Sequence, residues 1–333
     1  MEIKKLLPGD SDFHLFEALP KRLYPAGSIR HKQHDAVSSD FLTACYIAVE
    51  DSEVKARAAV YTNPDLVYNG LSTRCIGNYE CVDDPAVAAS FLAHLERETA
   101  APGCFLLGPM NGSTWENYRF SLDHDSPNFF LEPYHHLYYN AHFREAGMEP
   151  IAGYGSSMDR RLSFDFTDVT DREQELLAKG MTIRPIDMER FEAELEKLYT
   201  FITTAFKDNF LYSPISRERF FRKYREAAAI IHPEYVLIAE DRHSGIVGFI
   251  FCYDDLFNTS EKSIVIKTLA RHPSDEWRGL GQVLGNRIVR LAKQRGYASQ
   301  IHAFMINEGA STFTSEKFKG NHYKNYVLYG KTL

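Results

Sequence analysis

The chain of 333 residues is long for a single core, and two units of about 150 residues each are the default expectation for such a length. With 44% hydrophobic, 13% aromatic and 25% charged residues it has ample material for cores, which argues against disorder. A formal net charge of -7 leaves no cationic footprint for a phosphate backbone, so nucleic acid is excluded as an expected partner.

The start, MEIKKLLPGDSDFHLFEALPKRL, lacks the apolar core of a signal peptide, and no later run reaches the roughly 18 apolar residues of a membrane span. A cytoplasmic protein with no membrane partner is expected. Cys45, Cys75, Cys81, Cys104 and Cys252 form no C-x-x-C pair and read as buried thiols. His31, His34, His135 and His136 have no metal-site spacing, so no metal is expected.

In chain order, a strand over Met1 to Leu6 leads to a helix near Ser11 to Leu23. The apolar runs CYIAVED, VKARAAVYT and TRCIGNYECV then read as strands. A helix from Pro85 to Glu98, a strand CFLLGPM, an irregular stretch to Pro127 and a helix near Tyr138 to Ala146 with Gly147 as its stop complete the first half. The polar segment between Ser156 and Lys179 holds the expected boundary. Its end forms a linking helix, or the segment extends the first sheet.

From Met181 a similar order begins. TIRPID reads as a strand, Leu195, Leu198, Tyr199, Ile202 and Phe206 have helical spacing, and Phe220, Phe221 and Tyr224 share a face of a second helix. The strands YVLIAED, GIVGFIFCYD and SIVIKTLA follow, the first two joined by a turn over Arg242 to Gly245. A glycine loop opens a helix over Gly281 to Arg295. The strand SQIHAFM, a short helix near Ala310 to Phe318 and the strand NYVLYGKTL end the chain. The repeated order implies a duplication.

The loop in HPSDEWRGLGQVLGNRIVRLAKQRG sits between a strand and a helix, where unpaired backbone N–H groups and glycines receive an anion. Arg278 adds a positive charge. The G-x-x-x-x-G-K phosphate loop is absent, and a dinucleotide fingerprint fails because Leu284 stands at the third glycine and Gly285 comes one residue late.

The segment resembles motif A of the GNAT acyltransferases, R or Q, x, x, G, x, then G or A. Arg278 and Gly281 match it, and bulky Val283 departs where the family prefers Gly or Ala. The approach from Pro273 to Arg278 is also longer than the motif's usual one. The resemblance implies that Arg278, Gly279, Leu280, Gly281, Gln282 and Val283 hold the pyrophosphate of acetyl-CoA or another acyl-CoA. By position it also implies that the backbone of Leu269, Ala270 and Arg271 binds the pantetheine arm, with Asn307 as a further contact or a helix N-cap. The stretches IGNYECVDDP, LLGPMNGSTWE and PYHHLYYNAHFREAGM resemble the N-terminal region of tandem GNAT-like proteins.

The implied fold is mixed α/β (α+β), with two tandem GNAT-like domains that each carry a mostly antiparallel sheet flanked by helices. Their expected extents are residues 1–160 and 181–333, with 161–180 as linker. In the first, Val82-Asp83-Asp84-Pro85 replaces the cofactor loop and has no glycine, so this half is expected to shape the acceptor pocket through Asn111, Ser113, Trp115, Glu116 and Tyr134. The implied activity is acyl transfer from CoA to an amine of a small molecule or peptide, by a monomer or homodimer.

Such chemistry uses a base for the acceptor and an acid for the thiolate. Glu80, inside an apolar strand, is the favoured base, with Glu240, Asp254 and Asp255 behind it. Thr314 stands where the family commonly carries a Tyr. Either Tyr323, Tyr326 or Ser315 substitutes, the thiolate leaves unaided, or the domain does not catalyse.

Overall fold

A computed structural model describes the chain except for residues 25–31, 33, 34, 164, 165, 308, 310–314, 317 and 319. The chain divides into two compact units. One comprises Met1–Gly153, Phe210–Ser213 and Asn325–Leu333, and the other Tyr154–Asn209 and Pro214–Lys324.

The first unit contains β1 (Glu2–Leu6), α1 (Phe13–Leu23), β2 (Leu42–Glu50), β3 (Glu53–Tyr61), β4 (Val67–Tyr68), β5 (Leu71–Cys81), α2 (Pro85–Thr99), β6 (Cys104–Gly108), β7 (Phe120–Ser121) and α3 (Tyr139–Glu145). Strand β8 (Glu149–Asp159) begins in this unit and ends in the second. The sheet runs β1-β2-β3-β5-β6 and is closed by the last residues of the chain. Within this unit, among the described residues, only β5 and β6 pair in parallel. Ala44, Tyr46 and Ala48 on β2 and Ala56, Ala58 and Val60 on β3 alternate onto one buried face, as the two-residue strand period requires. The small alanines let α2 seat Val87, Phe91, Leu92 and Leu95 against them.

The second unit adds α4 (Thr167–Ala178), β9 (Thr182–Pro185), α5 (Phe191–Ala205), α6 (Arg217–Ala227), β10 (Val236–Glu240), β11 (Ile246–Asp254), β12 (Ser263–Arg271), α7 (Leu280–Gln294) and β13 (Ser299–Ile306). Strand β14 (Asn321–Thr332) begins here and ends in the first unit. The sheet order is β8-β13-β12-β11-β10-β9, antiparallel except for β12 with β13. Leu237, Ala239, Val247, Ile250, Cys252 and Ile264 form one face and pack with Leu280, Val283, Leu284 and Ile288 of α7. The β10–β11 turn forms as expected, with the Asp241 carboxylate accepting from the N–H groups of His243 and Gly245 at 2.8 and 2.9 Å.

Residues 161–180, expected as a linker, carry α4, and Val169 and Leu176 of that helix lie in the core of the second unit. The five cysteines are free and buried. Among the described residues no helix is long and apolar enough to cross a membrane, and no cluster of His, Cys, Asp or Glu has metal-binding geometry.

Candidate functional site

Strands β12 and β13 share four parallel rungs, from Ser263↔Ser299 to Ile266↔His302, and then part. On its other edge β12 stays paired with β11 as far as Arg271↔Gly248. Between the rungs Cys252↔Ile266 and Phe251↔Thr268, Lys267 is an extra residue, and such a bulge bends its strand. Beyond Ile266 no described strand pairs with β12 on the β13 side. Thr268, Leu269, Ala270 and Arg271 thus present a strand edge that an extended ligand with amide groups can bond.

The loop after β12 delivers the chain to α7. Arg271 holds this loop from within, its guanidinium donating to the carbonyls of His272, Pro273 and Ser274 at 2.8, 3.2 and 3.2 Å. Gly279 caps the helix at φ +88°, a left-handed conformation that suits glycine. The Gly279 carbonyl accepts from the amides of Gln282 and Val283. The N–H groups of Gly279, Leu280 and Gly281 have no partner among the described residues. The exposed Arg278 side chain likewise makes no ion pair among them. Three free amides, a helix N-terminus and an unpaired guanidinium together suit a pyrophosphate.

Val283, expected among the residues that hold the pyrophosphate, is fully buried and packs onto the sheet beneath α7, so its side chain faces the core. Gly281 meets the Leu269 side chain only at ordinary contact distance. Leu280 is buried in the core, so it serves the loop through its backbone alone. Asn307 is exposed just after β13, and no described helix begins at it.

Sequence reading missed Arg172 on α4. Its Nε donates to the Arg278 carbonyl at 2.8 Å and its Nη2 to the Glu276 carbonyl at 2.6 Å, with Glu175 paired to Nη1 at 2.7 Å. It braces the outer wall of the loop. Two charge-assisted bonds on a partly exposed arginine stabilise this loop by about 1–2 kcal/mol. Arg172→Ala is therefore expected to weaken acetyl-CoA binding about tenfold with the fold intact, as calorimetry and circular dichroism would register.

The matching place in the first unit is built shut. Strands β5 and β6 also share four parallel rungs, Ser72↔Cys104 to Cys75↔Leu107. There the chain itself takes the edge beyond: Met110 N donates to the Ile76 carbonyl at 2.8 Å and Asn78 N to the Asn111 side-chain oxygen at 2.9 Å. A β-carbon on Gly77 would fall 2.7 Å from the Met110 carbonyl, so nothing fits between. At the start of α2, Pro85 has no N–H, and the Asp84 carboxylate accepts from Ala86 N and Val87 N at 2.9 and 3.2 Å. The anion site of that helix holds its own anion.

The expected base, Glu80, is 1% exposed in this first unit. Lys32 lies 2.7 Å from one carboxylate oxygen, and the Tyr24 and Tyr139 hydroxyls donate to the other at 2.7 and 2.8 Å. A carboxylate so engaged is a structural hub. Tyr326 also belongs to the first unit, fully buried, its hydroxyl donating to Glu132 at 2.7 Å. That commitment removes it as a free acid. Tyr323 is half-buried on β14 in the second unit, with the Lys324 ammonium 5.4 Å from its ring centre. Thr314 lies outside the described residues.

The other acids are engaged as well. Hydrogen bonding from Arg184, with Lys197 beside it, lowers the Glu240 carboxyl's pKa and makes it a poor base. Asp254 accepts from the Tyr297 hydroxyl and pairs with His232. Among the expected pocket residues, Asn111 donates to Asp35 at 3.0 Å, Trp115 to the Ser213 carbonyl at 2.9 Å, and Ser113 is buried. The partners in these bonds all belong to the first unit.

No family model matches the sequence, and no curated protein matches it. Solved structures do. The chain is similar to a GCN5-related N-acetyltransferase from Sphaerobacter thermophilus at 13% identity and TM-score 0.52, over 86% of this chain and 80% of that one. It is similar to a tandem GNAT protein from the clavulanic acid biosynthesis pathway at 10% identity and TM-score 0.54, over 99% and 98%. A probable N-acyltransferase from Enterococcus faecalis matches at 9% identity and TM-score 0.54, over 99% and 71%. The likeness is one of fold, a mixed α/β fold shared with the tandem GNAT protein.

Proposed function

We propose that the chain is an acyl-CoA-dependent N-acyltransferase, acting by direct attack of an amine on the thioester within a ternary complex. The carrying observation is the contrast between the two units. Among the described residues, one has an open strand edge ending at free helix amides beside an unpaired arginine, and the other has both features closed by its own residues. The amides of Gly279, Leu280 and Gly281, with Arg278, hold the pyrophosphate, and the β12 edge over Leu269 to Arg271 aligns the arm. Acyl-CoA supplies the activated thioester. The first unit, without a cofactor site of its own, serves recognition of the acceptor, a small-molecule or peptide amine in the cytoplasm.

A second reading, a CoA-binding protein without turnover, is favoured by the engagement of Glu80 and Tyr326. Calorimetry with acetyl-CoA, followed by thioester assays over an amine panel, separates the two. Binding with acyl transfer to at least one amine is expected. Binding with no thioester loss supports the second reading, and no binding up to millimolar acetyl-CoA removes both.

A further inference from the structure

Strand β12 carries its extra residue, Lys267, one step past Ile266↔His302, the last rung that it shares with β13. Strand β13 has a matching irregularity. Against β8, His302 pairs with Ser157 and Met305 with Gly155, so Ala303 and Phe304 together oppose Ser156 alone. Bulges on both strands thus fall where the two part, and a bulge re-aims the side chains that it carries. The outcome is a contact across the gap, the Lys267 ammonium standing 4.5 Å from the centre of the Phe304 ring with both residues partly exposed.

A ring face holds an ammonium in place while the ammonium keeps its charge. The neighbouring strands add none of opposite sign at this level: Cys252 and Phe251 stand at the adjoining rungs of β11. Burial lowers the His302 imidazole pKa to about 4, so that ring is neutral near pH 7. Lys267 is therefore the charge that these strands place where β12 and β13 separate.

The reach of the β12 edge says what this charge meets. Five steps along the strand from Arg271 to Ile266 cover about 17 Å, the length of an extended pantetheine arm. An arm whose pyrophosphate end lies at the start of α7 therefore brings its thioester beside Lys267. The phosphates of the same cofactor stay at the other end of the arm, so they are not what Lys267 serves. A cation beside the thioester opposes an acceptor whose only charge is an ammonium and favours one that brings an anion with its amine.

We infer that the acceptor is an amine that also carries a carboxylate, as an amino acid does, and that Lys267 binds this carboxylate beside the thioester. This rests on the acyl-CoA reading and names its acceptor class. In transfer, the amine nitrogen bonds to the thioester carbon and the C–S bond breaks, its electron pair staying on sulfur. The surplus proton of the amine passes to water, and water later protonates the thiolate. The carboxylate is unchanged throughout. Lys267 sets specificity and neither gives nor takes a proton.

The test uses the full chain with acetyl-CoA and compares kcat/KM over matched pairs, each amino acid beside the amine that lacks its carboxylate. The acid member is expected to be favoured by about tenfold or more in at least one pair. Lys267→Met should bring the two members of that pair to within about twofold, with acetyl-CoA affinity unchanged by calorimetry, and Lys267→Arg should keep the preference. Lys267→Glu should turn the preference toward the amine without a carboxylate. Equal rates within every pair, or an equal loss of both members in Lys267→Met, overturn the inference and leave the acyl-CoA reading standing. Acetyl-CoA that binds but is transferred to no member of the panel overturns it too. Failure of the unsubstituted chain to bind acetyl-CoA overturns both.

Discussion

Gly281→Glu is expected to weaken acetyl-CoA binding by at least about 100-fold while leaving the melting temperature where it was. A carboxylate about 5 Å from a pyrophosphate charge at an effective dielectric constant near 20 opposes binding by about 3 kcal/mol, which alone is a factor of about 200. The same carboxylate in the first turn of α7 favours the helix by about 0.3–1 kcal/mol, so lost binding is not lost folding. Space supports this separation, because a β-carbon at Gly281 meets nothing nearer than Leu269 Cδ2 at 3.5 Å. Gly281→Ala is thus the control and should bind within a few-fold of the unsubstituted chain. Calorimetry beside thermal denaturation reads both quantities. Unchanged affinity in the glutamate variant would place the anion elsewhere.

The loop was legible because its chemistry is local: Arg278, Gly279 and Gly281 are neighbours in sequence, and a strand-to-helix junction is visible from periodicity. What braces the loop was not. Arg172 acts across 106 residues of chain, and nothing in TDREQELL marks one arginine as reaching another element. Its helix was readable in principle, since Val169 and Leu176 are two turns apart on one face, but its charge made it look like a linker. Strand β8 went unread as a distinct element. Its EPIAGYGSSMD has two glycines and two serines and lacks the alternation that signals a half-buried strand.

The catalytic expectations divided for a physical reason. Sequence shows that Glu80 sits in an apolar strand, and it is buried as that setting implies. It does not show that Lys32, Tyr24 and Tyr139 converge on the carboxylate. Tyr326 was read with the second half because it follows that half in sequence, yet the chain's last nine residues complete the sheet of the first unit. Val283 was judged by size, whereas the helical repeat turns it toward the core with Leu280, Leu284 and Ile288. Gly285, one residue late for a nucleotide fingerprint, has a packing cause: its β-carbon would lie 2.9 Å from the Phe318 ring.

The buried His302 also makes the second unit sensitive to acid. Its folded-state pKa of about 4 lies below the ordinary 6.5, with burial the sole cause, so between these values the unfolded chain binds a proton that the folded chain refuses. Stability therefore falls as pH drops through this window, by up to about 3 kcal/mol from this one group below pH 4, and is unaffected by it above about pH 7.5. His135, His136 and His142 of the first unit are displaced in the same direction by burial, so acid sensitivity of the whole chain does not isolate the effect. The difference between chains does. His302→Asn cannot titrate in this range and should lose less stability than the unsubstituted chain between about pH 7.5 and pH 5, by about 2 kcal/mol in urea unfolding. Parallel losses in both chains would mean that His302 is protonated in the folded state.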